Sequence, residues 1–338
     1  MPVPIGSVEA LATTVNHFYP DLKSEFVTTF DNRETEPEWI RKLFRGAEVT
    51  GAYESFHAWG SSPLPLPLER GQYLHDSGFE EYILTLYVHD YATPRLTWHI
   101  NDVQDSRAPK SLKDRAQDSS KKLGDLKKFT IPELLAGSAS TFLHPEVSFT
   151  NIFGGTGLFS SSHSYNGQTL DNSIAGDGTA AGNIIDDIWE VRQTFRQMVD
   201  TLGRTYWDQE AEGNTSWCII IPEQLEQVFS QVLKSELLVP AGATAPASNY
   251  TRDVFGDKVQ VKILETLTDT DNWFVVRQPA DAEGMTPFIW GERKGLEVKT
   301  WLMGNSDWSK ETHQEGLQWW RRDLIGVHIP QTAVVVTN

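Results

Sequence analysis

The run Trp217–Leu238, WCIIIPEQLEQVFSQVLKSELL, constrains this chain more than any other stretch. Trp217 to Ile221 is a short, nearly continuous apolar segment, the pattern of a strand buried on both faces. Pro222 suits the first turn of a helix, where its missing N–H costs little. Leu225, Val228, Phe229, Val232 and Leu233 follow at three- and four-residue spacing and line one helical face, while Glu223, Gln224, Glu226, Gln227, Gln231 and Lys234 fill the other. The two early glutamates also favour the positive end of the helix dipole. A buried strand feeding an amphipathic helix implies a packed α+β core, and the surrounding segments read as its partners.

At 338 residues the chain can bury a large core and is long enough for two domains or one elaborate one. Its 39% apolar and 22% charged content is that of a globular protein. A net charge of −17 argues against a protein whose main task is to grip nucleic-acid phosphates with Lys and Arg. No apolar run reaches the roughly 18 residues of a membrane span. The start, MPVPIGSVEALATT, lacks the basic-then-apolar order of a signal peptide. Cys218 is the single cysteine and lies in the apolar strand, so it reads as a buried small hydrophobe rather than a reactive thiol. Within the chain no disulfide can form, which fits a reducing compartment.

Residues 1–37 read as an arm, because Pro2, Pro4 and Pro20 interrupt any long helix. Glu38–Phe44 is a short amphipathic piece, and 52–60 is aromatic-rich, with Tyr53, Phe56 and Trp59. Residues 61–68, SSPLPLPL, are held extended by alternating prolines that cannot donate ladder hydrogen bonds. Phe79, Tyr82, Leu84, Leu86 and Val88 then begin an alternating strand pattern, and Leu96–Ile100 continues it. The economical reading is a projecting two-stranded loop over 60–82 whose arms return to one base. An exposed PLPLPL stretch is a liability on a monomer, so Pro63, Leu64, Pro65, Leu66, Pro67, Leu68 and Arg70 are the candidate inter-subunit contact. A signalling-type proline-rich ligand fits less well, because the segment is embedded between structured stretches.

Ser106 is a plausible N-cap with Pro109 just inside the helix start. The following helix, 107–128, is strongly polar, with only Leu112, Ala116, Leu123 and Leu126 apolar and Gly124 as its weak point. Over 106–136 eight Lys/Arg face four Asp/Glu, a local balance of +4 that leaves the remainder at −21. A solvated helix face, or a contact with an acidic neighbour, explains this basic rod better than nucleic-acid binding does.

The glycine-rich FGGTGLFSSSHS, 153–164, lacks the Lys-Ser/Thr of a phosphate-binding loop and the spacing of a dinucleotide fingerprint. Ser160, Ser161, Ser162 and His163 are neighbours in sequence, which is not a triad, and no GxSxG elbow is present. A glycine-rich turn with satisfied hydroxyls is the simpler reading. A second amphipathic helix is expected over 183–202, and 239–248 is a small-residue loop. Strands are expected over 259–267, 273–278, 287–292 and 296–303. In a last strand region, 317–336, Val334 to Val336 are expected to pair back with the sheet at the base of the projecting loop. The nine histidines are scattered without metal-ligand spacing, so no metal, cofactor or catalytic residue is proposed. Acidic pairs such as Asp186–Asp187 and Glu80–Glu81 read as solvated charge. The twelve tryptophans, spread along the chain, read as core or interface residues.

Three stretches, in this order and spacing, carry a family resemblance. They are FEEYILTLYVHDY at 79–91, leading to the helix at 107–128; LFSSSHSYNG at 158–167, before a helix ending TFRQMVDTLGR at 194–204; and WCIIIPEQLEQVFSQVL at 217–233, followed by VQVKILETLTDTDNWFVV at 259–276. Over about 35–338 the chain resembles the major capsid proteins of tailed phages (the Hong Kong phage fold), and more narrowly the major head subunit of Mu-like phages. The resemblance implies an N-terminal arm, 1–37, and an extended loop, 60–82. It implies a peripheral domain from 38–59, 83–139 and 317–338 that contains the spine helix, and an axial domain, 140–316.

The implied function is structural: hexamers and pentamers closing an icosahedral shell around the genome. The implied partners are further copies of the chain, with the portal, scaffold or protease, and decoration proteins of the same phage. DNA is enclosed without sequence-specific binding, no membrane is involved, and the implied place is the virion capsid, assembled in the host bacterial cytoplasm. Some relatives crosslink their shells through a lysine in the extended loop; here 60–82 holds Arg70 and no lysine, so no such crosslink is expected. The short, proline-broken arm implies a separate scaffold or prior cleavage. Two other readings stay open. A different virion or tail protein would form tubes or rings. An acidic, tryptophan-rich carbohydrate-active enzyme would need two carboxylates about 5–10 Å apart, and no motif marks them.

Overall fold

The computed structural model describes residues 37–59, 81–99, 101, 109–165, 167–206, 215–238, 247–256, 258–279, 286–302 and 306–338. Residues 1–36 of the expected arm and 60–80 of the expected loop lie outside them. The strands are β1 Phe44–Glu48, β2 Tyr53–Trp59, β3 Glu81–Ala92, β4 Leu96–His99, β5 His163–Tyr165, β6 Gln168–Leu170, β7 Ser173–Ala175, β8 Thr215–Ile221, β9 Leu237–Leu238, β10 Ala247–Ser248, β11 Val259–Ile263, β12 Trp273–Pro279, β13 Phe288–Trp301, β14 Gln314–Val327 and β15 Ala333–Thr337. The helices are α1 Glu38–Arg41, α2 Pro109–Gly124, α3 Leu126–Ala136, α4 Ala181–Gln197, α5 Glu226–Lys234, α6 Tyr250–Phe255 and α7 Asp307–Thr312.

The chain divides into two compact units, one centred on 88–130 and 292–323 and the other on 41–87, 131–291 and 324–338. The long strands β3, β13 and β14 each belong in part to both. They lie in one sheet of order β1–β13–β14–β3–β2, with β4 also paired to β14.

In the larger unit, β8 is the central element the sequence predicts. Trp217, Ile219 and Ile221 join Ile184, Ile188, Val191 and Phe195 of α4 and Phe229, Val232 and Leu233 of α5 in one core. Cys218 and Ile220, on the opposite face of β8, are equally buried. Burial on both faces is why the run is continuously apolar rather than alternating. The same burial pushes the Cys218 thiol up to about 12, so it stays protonated. The sheet runs β11–β8–β12–β15–β7: β11 lies parallel to β8, β12 antiparallel to β8 and β15, and β7 parallel to β15.

The smaller unit packs a narrow stripe of α2, Leu112, Ala116 and Leu123, on Leu96 and Trp98 of β4 and Leu317 and Trp319 of β14. That spacing of four and seven residues is one edge of a helix, which is why the rest of α2 is polar. Across the sheet, buried Arg321 reaches Glu292 on β13 at 3.1 Å and Asp323 at 2.6 Å.

Several expectations are corrected. The single helix 107–128 is two: α2 stops at Gly124, and α3 carries helical structure to Ala136. The strands expected at 287–292 and 296–303 are one, β13, because Glu292 to Gly295 continue the ladder with exposed side chains. The region 317–336 is two strands in two sheets. β14 adjoins β3, whereas β15 pairs with Trp273–Val276 and with Ser173–Ala175, so Val334 to Val336 do not return to the sheet beside the loop. The sequence reading assigns neither β1, which begins at Phe44 and runs on to Glu48, nor β2, which fills the aromatic-rich stretch 52–60.

Candidate functional site

The candidate contact residues Pro63, Leu64, Pro65, Leu66, Pro67, Leu68 and Arg70 lie outside the described residues. The base from which they spring is described. β2 and β3 form an antiparallel ladder from Tyr53↔Tyr87 to Trp59↔Glu81, so the chain that leaves at Trp59 returns directly opposite, at Glu81. In such a ladder, opposed residues share a face and successive residues alternate between faces. Leu84 and Leu86 point to the buried side. Leu86 lies against Gly326 of β14, where an added Cβ would meet its side chain at 2.5 Å, so only glycine permits that approach.

The other face carries Tyr53, Ser55 and His57 opposite Tyr87, Thr85 and Ile83. Ser55 and Thr85 hydroxyls are 3.2 Å apart, and His57 Nδ1 lies 2.6 Å from Glu81 Oε1. The Tyr53 and Tyr87 rings stand 6.0 Å apart. Tyr53, Ile83 and Tyr87 are each 57% exposed. Among the described residues these three large apolar side chains stay open on one face of the hairpin base, which makes it the candidate interaction face. Sequence reasoning missed it, although the alternation that buries Leu84 and Leu86 puts Ile83 and Tyr87 outside.

The glycine-rich stretch is a structural knot. His163 is buried, and its Nε2 lies 3.0 Å from Asn172 Oδ1 while its Nδ1 lies 2.6 Å from Thr156 Oγ1. Asn172 Nδ2 donates to the carbonyls of Leu158, Pro330 and Ala333, and Oδ1 also accepts from the Ser160 N–H. Oδ1 is therefore the acceptor, Nε2 of His163 carries the proton, and Nδ1 accepts from Thr156. Burial holds the histidine below its ordinary value, keeping it neutral, against the opposing pull of Asn172. Ser160 and Ser162 bond locally, through the Ser162 N–H to Ser160 Oγ at 3.1 Å.

The tryptophans divide between core and surface. Trp217, Trp273 and Trp319 are buried. Trp320 is flanked by Lys299 at 4.4 Å and Lys294 at 5.5 Å, and Trp301 lies under Arg95 at 4.0 Å, arrangements in which the ring face attracts the cation.

The reading of Asp186 and Asp187 as solvated charge is half corrected. Asp186 is exposed, but Asp187 is fully buried, because it falls on the stripe set by Ile184, Ile188 and Val191. Its Oδ1 accepts from the Asp177 N–H at 3.2 Å, and its Oδ2 has no partner. Burial, with Asp177, Glu190 and Asp186 nearby, pushes its carboxyl up to about 6. A carboxyl raised in the fold costs stability wherever it must ionise. The cost is complete above pH 6 and fades as pH falls from 6 towards the unfolded value of about 4. Asp187→Asn should therefore raise stability by about 1–2 kcal/mol at pH 8, with the gain shrinking towards zero near pH 4. Melting curves of both proteins across that range check the sign; a variant destabilised at pH 8 contradicts it.

No protein-family model matches the chain, and no curated protein sequence matches it either. Among solved structures it is similar to the capsid of Myoviridae phage XM1, with a TM-score of 0.53 and 8% identity over 89% of this chain and 91% of that one. It is also similar to the capsid of cyanophage P-SCSP1u, with a TM-score of 0.51 and 10% identity over 87% of this chain and 86% of that one. A third similarity is to the mature capsid of bacteriophage PhiM1, with a TM-score of 0.50 and 14% identity over 90% of this chain and 87% of that one. With a likeness that covers 86–91% of these phage capsid chains, this α+β chain has the tailed-phage major capsid fold, the Hong Kong phage fold.

Proposed function

We propose that this chain is the major capsid (head) subunit of a tailed double-stranded DNA bacteriophage. Its copies assemble into hexamers and pentamers of an icosahedral shell that encloses the genome. The observation that carries the reading is the likeness to phage capsids over nine-tenths of the XM1 capsid chain and of this one. The hairpin base with its open aromatic face supports it, since a subunit that must bind copies of itself needs such a surface. The net charge of −17 suits a container that holds DNA without gripping it.

In this reading residues 60–82 are the extended loop, α2 is the spine helix, most of 140–316 is the axial domain, and 1–37 is the arm. The peripheral domain draws on 38–59, 83–139 and 317–338, with β15 contributing to the sheet of β8 and β12. The role is structural rather than catalytic. The order of the three stretches at 79–91, 158–167 and 217–233 supports reading it as a Mu-like head subunit. Portal, scaffold or protease, and decoration proteins of the same phage are its further partners. Assembly takes place in the host bacterial cytoplasm, and the virion capsid is the final location.

Replacing Leu64, Leu66 and Leu68 together with serine should leave the subunit folded and weaken assembly. Losing even one buried leucine contact per interface raises the assembly concentration by about tenfold or more. Sedimentation velocity over a concentration series measures this, and unchanged assembly would remove the loop from the interface. Because 60–82 holds no lysine, denatured particles should run as single 38.1 kDa chains by intact mass. Covalent multimers would contradict that.

A further inference from the structure

We infer that Asp187, together with Asp177 and Asn183, forms a binding site for a divalent cation of the calcium class at the start of α4. The site lies within one subunit, so it exists whether or not the chain assembles.

Asp187 is fully buried, yet its carboxylate is barely satisfied. Oδ1 accepts one bond, from the Asp177 N–H at 3.2 Å, and Oδ2 is buried with no partner. An ionised carboxylate has about four acceptor positions, and leaving them empty away from water is costly. Such a group takes up either a proton or a cation. Three further carboxylates, Asp177, Glu190 and Asp186, stand close enough to add their charge to the effect of burial on Asp187. A proton cancels one of these charges, whereas a divalent cation cancels two and is drawn by the rest.

The local fold explains why these groups meet. In α4, Asn183, Asp187 and Glu190 follow at spacings of four and three residues, so they share one side of the helix beside the apolar stripe of Ile184, Ile188 and Val191. Asp177 arrives from the preceding turn. Asn183 Nδ2 donates to its carbonyl at 2.5 Å, and Asp187 Oδ1 accepts from its N–H, so both of its backbone groups are tied to that side of α4. Gly178 follows with a φ of 113°, a conformation that glycine adopts without strain, and leads the chain on into the helix. Asp177 is exposed and Asp187 buried, which gives the cluster a wet rim and a dry floor.

The donors decide the class of ion. They are all oxygens: the carboxylates of Asp177 and Asp187 and the side-chain carbonyl of Asn183. Such hard ligands suit calcium or magnesium rather than zinc or copper. Calcium accepts about 6–8 oxygens in loose geometry, whereas magnesium demands a near-ideal octahedron, so a site shared by a turn and a helix and completed by water favours calcium. With so few protein ligands, a dissociation constant on the order of 0.1–1 mM is expected.

The test is calorimetric titration of the full chain with calcium chloride at pH 8, with melting curves in calcium and in chelator. Calcium should bind at a single site, and 10 mM should raise the melting temperature by about 2 °C or more. Asp187→Asn, which is expected to melt higher than wild type in chelator, should bind calcium at least about tenfold more weakly and lose that rise. Asp177→Ala keeps the N–H that Asp187 accepts, so it should also weaken binding about tenfold, and it decides the matter alone if the first variant does not fold. Wild-type calcium affinity in the folded variants overturns the assignment. So does a wild-type melting temperature that calcium leaves unchanged, or one that sodium chloride of equal ionic strength raises as far. Magnesium binding as tightly as calcium overturns the choice of ion.

Discussion

Asn172→Ala should destabilise the subunit by about 3–5 kcal/mol, because one side chain satisfies five buried groups at once. Its Nδ2 serves the carbonyls of Leu158, Pro330 and Ala333 at 2.8–3.1 Å, and its Oδ1 serves the Ser160 N–H and His163 Nε2 at 2.9 and 3.0 Å. These groups come from the glycine-rich stretch and from the approach to β15. The residue thus ties residues 151–163 to the C-terminal strand that closes the sheet beside β12. Alanine removes all five hydrogen bonds at once; the Pro330 carbonyl keeps the Ala333 N–H, and each buried group left without a partner costs on the order of 1–3 kcal/mol before relaxation. Thermal unfolding of the unassembled subunit measures the loss. A melting temperature unchanged within a degree would mean that the knot is not what holds the loop. Acid should act on the same point: a proton added to His163 Nδ1 displaces the Thr156 hydroxyl that donates to it. Because the folded histidine lies below its ordinary value, its contribution is whole above that value, about 6.5, and is lost as pH falls.

Glu133→Ala should cost a similar amount by a different route. Glu133 stands near the end of α3, where Gly137 takes a positive φ of 67° and the Ser138 N–H returns to the Glu133 carbonyl at 3.2 Å, a glycine-terminated helix end. The chain then wraps around the Glu133 carboxylate. The N–H groups of Ser140, Thr141, Phe142 and Leu143 donate to it at 2.7–3.1 Å, and the Ser140 hydroxyl at 2.8 Å. Burial alone would raise its pKa, but the N–H donors of Phe142, Leu143 and Ser140 outweigh it and hold the carboxyl below its ordinary value of 4.5. The stabilisation is therefore present above about pH 4.5 and is lost as pH falls through the lower folded value. Alanine removes a charged acceptor of several hydrogen bonds, worth about 3–5 kcal/mol in all, whereas Glu133→Gln keeps one acceptor oxygen and should cost less. Urea midpoints of the three proteins at pH 7 give the order, and wild-type stability in the alanine variant would contradict it.

The parts of the fold legible in the sequence are those where burial alone writes the pattern. β8 reads as a strand because both faces are covered, and α5 because one face is. α2 was legible from its narrow stripe, but its break was not, since Gly124 and Asp125 lie among polar residues that suit helix and turn alike. β13 was misread as two strands because Glu292, Arg293 and Lys294 face solvent, and a hydrogen-bonded ladder leaves no apolar trace there. Val334 to Val336 announced a strand but not its neighbour, since any buried sheet accepts valine and the partner is decided by the path of the whole chain. Asp187 was misread as solvated charge, because its polarity outweighed its position, three residues after Ile184 and four before Val191, on the buried stripe. The candidate site was half legible. The proline–leucine stretch announced an exposed apolar contact, while the Tyr53–Tyr87 face needed the pairing of β2 with β3, which local pattern does not supply.

The central claim is that copies of this chain build a closed shell, and electron microscopy of the purified protein, with light scattering on the same sample, tests it most directly. Closed icosahedral shells, or six- and five-fold rings, are the predicted result, formed by the chain alone or with the neighbouring genes of its phage co-expressed. A 38.1 kDa monomer that stays unassembled at high concentration under both conditions would contradict it, as would open tubes in place of closed shells.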